Sequence, residues 1–402
     1  MHAAFALPLL LPLLLGAAAA SDDFALDGRT AGPTYRADAA GFEPGGDAHG
    51  FLWSAPVAEG SYRVTVTLGD RRSVSLTTIK AESRRLMLRD VATRPRQIVT
   101  RSFIVDVRRP DIPPPPTTAP GGTRVRLNAR EDGSYDWDDK LTLEFLGNPK
   151  VQRIAIAPVT VPTLFLVGDS TVTDQRFEPA ASWGQMLPAM LDDTVAVANH
   201  AESGETLKSF MTGLRLDKVL SRIKPGDYLL VQFGHNDQKA QWPQTYADAK
   251  LTYPAYLRAY IAEARRRGAQ PVLVTPPDRR NFDANGRITS TLADYVAAMK
   301  RVATEEQVPL IDLNAASRAI YEALGPKVSP RAFNEGGADK THHDNYGAFL
   351  LADAVARGIR AQIPALAAHV IAPPLDAAHP PLPYALVIAP SLARSDQRPA
   401  GS

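Results

Sequence analysis

Two hydrophobic rhythms divide the chain. From Ser21 to about Pro158 apolar and polar residues alternate. Tyr62, Val64, Val66 and Leu68 stand between Ser61, Arg63, Thr65 and Thr67, the mark of a strand with one buried face. A second extended run follows through Val74, Leu76 and Ile79, and Leu86 to Leu88, Phe103 to Val107, Val125 to Leu127 and Leu141 to Phe145 repeat the character. Short strands between Gly, Pro and Asp turns predict a small all-β sandwich over 21–158, interrupted by a polyproline loop at Asp111 to Gly122. Ala155 to Pro162, apolar and flanked by proline, reads as the junction.

Beyond it the period changes. Thr163 to Val167, Val195 to Ala198, Tyr228 to Phe233, Pro271 to Thr275 and Pro309 to Leu313 are continuous apolar runs, as parallel strands buried on both faces require. Between them lie helical stripes. Tyr256, Leu257, Tyr260, Ile261 and Ala264 form one that stops before Gly268, Leu292 to Met299 a second, and Tyr346 to Ile359 a long final one. The alternation predicts an α/β unit over 159–367, a parallel sheet between helix layers. Proline then returns, and 368–402 reads as a Pro-rich tail of extended packing or disorder.

The N-terminus fits neither rhythm. Phe5 to Leu15 is apolar except for Pro8 and Pro12, and Ala17 to Ala20 precede Ser21. We expect residues 1–20 to be a cleavable signal peptide, the run being shorter than the ~20 apolar residues that span a bilayer. A secreted or periplasmic bacterial protein is implied, with no membrane attachment after signal removal. The absence of cysteine from 402 residues excludes a disulfide scaffold, thiolate metal sites and a cysteine nucleophile. With 45 Lys+Arg against 43 Asp+Glu there is no polybasic footprint for nucleic acid.

In a sheet of this kind chemistry gathers beyond the carboxyl ends of the strands. The first ends in Gly168-Asp169-Ser170-Thr171, which we expect to place the Ser170 hydroxyl at the start of the next helix. Its N–H would then face a substrate oxygen, although Asp and Ser there are equally the residues of a simple N-cap. The second leads into Asn199-His200-Ala201-Glu202-Ser203-Gly204-Glu205-Thr206, where Gly204 can bring a backbone N–H close to a ligand. The next ends in Gly234-His235-Asn236-Asp237. Asn236 is a neutral donor where an oxyanion would need one, and His235 reads as a packed loop histidine. Asp339-Lys340-Thr341-His342-His343 precedes the last helix, with a carboxylate spaced to stand behind an imidazole.

Jointly and in this order, these blocks resemble those of the SGNH (GDSL-type) hydrolases. Val167 to Thr173, Asn199 to Thr206, Val231 to Asp237, Ser182-Trp183-Gly184 and Tyr346-Gly347-Ala348 are similar to the rhamnogalacturonan acetylesterase branch, carbohydrate esterase family twelve. The sandwich, with Gly41-Phe42-Glu43 and Ala81 to Leu86, is similar to a carbohydrate-binding-like domain preceding the esterase in bacterial members. The resemblance implies an SGNH three-layer α/β/α sandwich after a small β-domain, acting without metal or other cofactor on acetylated plant cell-wall polysaccharide. It implies Ser170 as nucleophile, His342 as base and Asp339 as its orienter, with Ser170 N–H, Gly204 N–H and Asn236 as oxyanion hole. One departure is Glu205 after Ser203-Gly204, an acidic residue expected near the cleft. A pectic substrate carries carboxylates, so Arg279, Arg280 and a sugar-stacking Trp242 are candidate substrate contacts, with His343 as cleft wall. Rival readings are an acetylxylan or other sugar O-acetyl esterase, and a non-catalytic polysaccharide-binding protein.

Overall fold

The computed structural model describes residues 21–47, 49–395 and 399, so the expected signal peptide and the last residues of the tail lie outside the described residues. The first part contains β1 (Asp22–Ala25), β2 (Gly41–Phe42), β3 (Gly50–Pro56), β4 (Gly60–Leu68), β5 (Ser75–Ala81), β6 (Arg85–Thr93), β7 (Val99–Val107), β8 (Lys140–Asn148) and β9 (Val151–Pro158). They form antiparallel sheets in the orders β1-β9-β4-β7 and β2-β3-β8-β5-β6. The alternation seen in the sequence is what separates the sheet faces. Val64, Val66 and Leu68 point into a core shared with Phe51, Trp53, Phe103 and Phe145.

Two expectations for this region need correction. Val125 to Leu127 is not a strand, because its amides take single acceptors from different places: Val125 N bonds the Pro110 carbonyl and Arg126 N that of Gly213. The run from Ala155 is not linker as far as Pro158, since β9 lies between β1 and β4 and the connection shortens to residues 159–162.

The second part is a parallel sheet of β10 (Thr163–Gly168), β11 (Ala196–Asn199), β12 (Tyr228–Gln232), β13 (Gln270–Val274) and β14 (Leu310–Ile311), in the order β11-β10-β12-β13-β14. Around it stand α1 (Trp183–Met186), α2 (Leu207–Thr212), α3 (Arg215–Arg222), α4 (Thr252–Arg266), α5 (Ala293–Glu305), α6 (Leu313–Val328) and α7 (Asn345–Gln362). Leu164 and Leu166 pack in one layer with α1, α6 and α7, whereas Phe165 and Val167 pack in the other with α2 to α5. This is a three-layer α/β/α sandwich. The last strand is shorter than expected because the Asp312 carboxylate accepts from Ala315 N and starts α6 at Leu313.

The two parts are joined by buried contacts. Leu86 of β6 belongs to the α1/α7 core. Asp106, Glu59 and Glu131 pair with Arg222, Lys218 and Arg215 of α3. The tail packs back as extended chain: Leu386 and Ile388 are buried, and Ser391 donates to Glu178 (2.7 Å) and Glu144 (2.6 Å).

Candidate active site

The strand order reverses at β10, whose neighbours are β11 on one side and β12 on the other, the point at which open α/β sheets gather their ligands. At the end of β10, a Cβ on Gly168 would lie 2.5 Å from Val172 Cγ2 and 2.7 Å from the Gln232 carbonyl oxygen. Glycine is needed for space between strands. The next residues turn tightly, as Asp169 Oδ1 accepts from Thr171 N (3.0 Å) and Thr171 Oγ1 (2.9 Å) while Val172 N and Thr173 N bond the Asp169 carbonyl. Ser170 therefore sits in an Asp-capped turn. This corrects the expected helix start, since α1 begins only at Trp183.

The loop before α7 supplies the remaining groups. Asp339 Oδ1 accepts from the amides of Thr341 (2.7 Å) and His342 (3.0 Å), which fixes the carboxylate and leaves Oδ2 2.7 Å from His342 Nδ1. His342 Nε2 in turn lies 2.8 Å from Ser170 Oγ. Burial would raise the Asp339 carboxyl, but the hydrogen bond and charge of His342 and the two amides outweigh it and hold it at about 2. An ionised Asp339 makes Nδ1 the donor, so Nε2 is the acceptor facing the serine hydroxyl.

Asn236 is wholly buried and donates one Nδ2 hydrogen to the Glu205 carbonyl (3.1 Å), which leaves the second hydrogen available. Gly204 holds a φ of +85°, a conformation suited to glycine. Among the described residues neither Ser170 N–H nor Gly204 N–H is taken up by a protein acceptor. His235 is packed, its Nδ1 3.2 Å from Asp169 Oδ2. Burial lowers its pKa against the pull of that carboxylate.

Two further expectations are overturned. His343 is no cleft wall. Backbone bridges to Ala181 and Phe333 turn it inward, its Nε2 lies 2.6 Å from Tyr321 Oη, and burial pushes its pKa down to about 3. Arg280 does not face solvent substrate either. Its guanidinium donates to the Gly337 carbonyl and lies over Phe333, bracing the loop that carries Asp339. Glu205 is tied to Arg215 (3.3 Å) and Ser209 and has little exposure. Arg279 is half-buried; burial disfavours its charge while Asp169, Asp339 and Asp278 act to restore it, and its Nη1 is buried without a partner. Trp242 follows Asn236 on an outer loop, 37% exposed, with Lys239 Nζ 4.1 Å above its ring.

Sequence reasoning missed Gln175, whose Nε2 donates to the Ser170 carbonyl (2.7 Å), and Gln232, whose Oε1 accepts from Thr171 and Trp183. The Gln232 bonds span 61 and 49 residues and leave no trace in local pattern, and the Gln175 bond depends on the shape of the turn it closes. A cavity of about 120 Å³ adjoins Ser203, lined among others by Arg130, Thr173, Gln175, Arg176, Phe177 and Glu202.

A model of the GDSL-like lipase/acylhydrolase family matches residues 166–348. Rhamnogalacturonan acetylesterase RhgT of Bacillus subtilis (strain 168) is 44% identical over 209 residues, 49% of this chain and 88% of that protein. The probable rhamnogalacturonan acetylesterase YesY of the same organism is 40% identical over 200 residues, covering 49% and 92%. A crystal structure of YxiM from Bacillus subtilis aligns with a TM-score of 0.49 at 24% identity, over 85% of this chain and 88% of that one.

Proposed function

The chain belongs to the GDSL-like lipase/acylhydrolase family, and from that premise we propose that it removes O-acetyl groups from rhamnogalacturonan through an acetyl-serine intermediate. It is a serine ester hydrolase, of the kind that acts on carbohydrate acetates. The observation that carries the mechanism is the unbroken line Asp339 Oδ2 to His342 Nδ1 (2.7 Å) and His342 Nε2 to Ser170 Oγ (2.8 Å). In our reading Ser170 Oγ attacks the acetyl carbonyl and passes its proton to His342 Nε2. Asp339 holds the tautomer and stabilises the imidazolium. The N–H groups of Ser170 and Gly204 and the second Nδ2 hydrogen of Asn236 receive the oxyanion, each donor contributing about 3 kcal/mol. Collapse breaks the bond to the sugar oxygen, which takes the proton from His342. Water then attacks acetyl-Ser170 by the same route, giving acetate and free serine.

For the substrate, half-buried Arg279, whose charge is felt by Asp169 and Asp339 at the site, is the cation we assign to a galacturonate carboxylate. The cavity beside Ser203, with Phe177 42% exposed on its wall, accommodates a neighbouring part of the polymer. We further propose export of the protein, with residues 1–20 removed, since the substrate is extracellular. Acetate release from a panel of acetylated rhamnogalacturonan, homogalacturonan and xylan, with Ser170→Ala as control, tests the reading. Faster release from xylan than from the pectic polymers would move the assignment to an acetylxylan esterase, and release by Ser170→Ala at the wild-type rate would remove the mechanism.

A further inference from the structure

Arg84 lies at the tip of the β5–β6 hairpin, in the part of the chain that supplies none of the reacting groups. Its surroundings are unusual for a hairpin turn. Glu82, Ser83 and Arg84 are all buried, and Glu82 (φ +53°) and Arg84 (φ +67°) hold left-handed conformations without being glycine. Such conformations persist where the surroundings over-determine them, and they gather at functional sites.

The guanidinium reaches across into the α/β sandwich and meets both loops that carry the reacting residues. Arg84 Nη1 donates to the carbonyls of Gln175 (3.0 Å) and Ala180 (2.8 Å), in the stretch that follows Ser170. Arg84 Nη2 meets Glu178 Oε1 (2.7 Å) and Asn345 Oδ1 (3.3 Å), and Glu178 in turn accepts from Asn345 Nδ2 (3.0 Å). Asn345 opens α7 directly after His342-His343-Asp344. Gln175, whose carbonyl Arg84 holds, is the residue that grips the Ser170 carbonyl through Nε2. Gln185 closes the ring, donating to the carbonyls of Ser83 (2.7 Å) and Gln175 (2.9 Å). Next to it, Arg85 Nε meets Asp174 Oδ2 (2.6 Å), and Asp174 Oδ1 accepts from Asn199 at the end of β11.

We infer that Arg84 is a positioning residue for catalysis: through Gln175, Glu178 and Ala180 on one side and Asn345 on the other, it sets the Ser170 loop against the His342 loop. The N-terminal sandwich is then a structural partner in the reaction. This inference rests on the Ser170–His342 reading above. A planar fork is required, because the ammonium of lysine cannot meet the carbonyl pair and the carboxylate together.

The test uses the full chain and 4-nitrophenyl acetate, a small ester that needs no polysaccharide contacts. Arg84→Lys and Gln175→Ala should each lower kcat about 10- to 100-fold, the range expected when a reacting pair is misplaced by a fraction of an ångström to an ångström, with KM little changed. Phosphorylation of the Ser170 hydroxyl by diisopropyl fluorophosphate, with loss of fluoride, should slow in proportion. The double variant should lose no more than the worse single one, because both act through one chain of bonds. A merely structural role would lower the melting temperature and leave kcat at 25 °C intact. That outcome, with wild type active and Ser170→Ala inert, overturns the clamp alone. Equal turnover by wild type and Ser170→Ala, or none by either, overturns the catalytic reading and the clamp with it. Should Arg84→Lys not fold, Asn345→Ala, which removes the Arg84 bond to the His342 side and keeps the Arg84–Glu178 ion pair, decides between the same outcomes.

Discussion

Replacing Asp339 by asparagine tests the site at its most determined point. The two oxygens of Asp339 do different work: Oδ1 accepts from the amides of Thr341 and His342, and Oδ2 faces His342 Nδ1. An asparagine must keep its single oxygen on the two buried amides, since an NH2 there would leave donors facing donors. Its NH2 then points at Nδ1, which can meet it only as an acceptor. The imidazole proton moves to Nε2 and is directed at Ser170 Oγ, so the ring can no longer take the serine proton. The loss expected for an inverted tautomer is about 10⁴-fold in kcat. KM and the melting temperature should change little, because the loop keeps its caps. Initial rates with 4-nitrophenyl acetate and with acetylated rhamnogalacturonan measure this, and Asp339→Ala, which strips the amides of their acceptor, should be both inactive and less stable. A loss below about tenfold for Asp339→Asn would show that Asp339 does not set the tautomer, and the proton path through His342 would have to be abandoned.

Asn236→Ala should cost about 10²–10³ in kcat by removing one oxyanion donor, read on the same small ester. Arg279→Ala should raise KM for acetylated pectic polymer and leave KM for acetylated xylan unchanged; equal effects on both would remove the carboxylate contact. His343 has a folded-state pKa of about 3 from burial, below the ~6.5 of an exposed histidine, so the unfolded chain binds the proton first and stability falls as pH drops below about 6.5. Between pH 7 and pH 5 this contributes a loss of about 2 kcal/mol that His343→Gln should not show in urea unfolding; parallel pH curves for the two proteins would contradict it. Deleting 21–158 removes the partners Arg85, Arg84, Glu131, Glu59 and Asp106 from Asp174, Glu178, Arg215, Lys218 and Arg222. At ~3–5 kcal/mol for each broken buried pair, the remainder should be insoluble, and a soluble, active fragment would refute the interface energetics.

What could be read from the residues, and what could not, follows from the range of the interactions. Asp339 and His342 were legible because their pairing is local: a carboxylate three residues before the ring caps the intervening amides and meets Nδ1 without help from elsewhere. The apolar runs of β10, β12 and β13 were legible because both faces of a parallel strand are buried. Helix α3 was not, because it buries Arg215 and Lys218 against Glu131 and Glu59, and a charged residue on the inner face erases the hydrophobic stripe. His343 was misread because adjacency along the chain says nothing of direction. In the extended backbone before α7 successive side chains leave on opposite sides, so His342 reaches Ser170 while His343 enters the core beside Tyr321. The parts that Arg84 and Gln175 play gave no signal. Their bonds span 91 and 5 residues and join a hairpin tip to a turn whose shape depends on both. A common cause runs through these misses: a buried polar group must find a partner, and where that partner is distant, or set by the shape of a turn, only the assembled fold reveals which one it takes. A region similar in sequence to a carbohydrate-binding-like domain thus becomes, through its buried cations, part of the frame that holds the serine to the histidine.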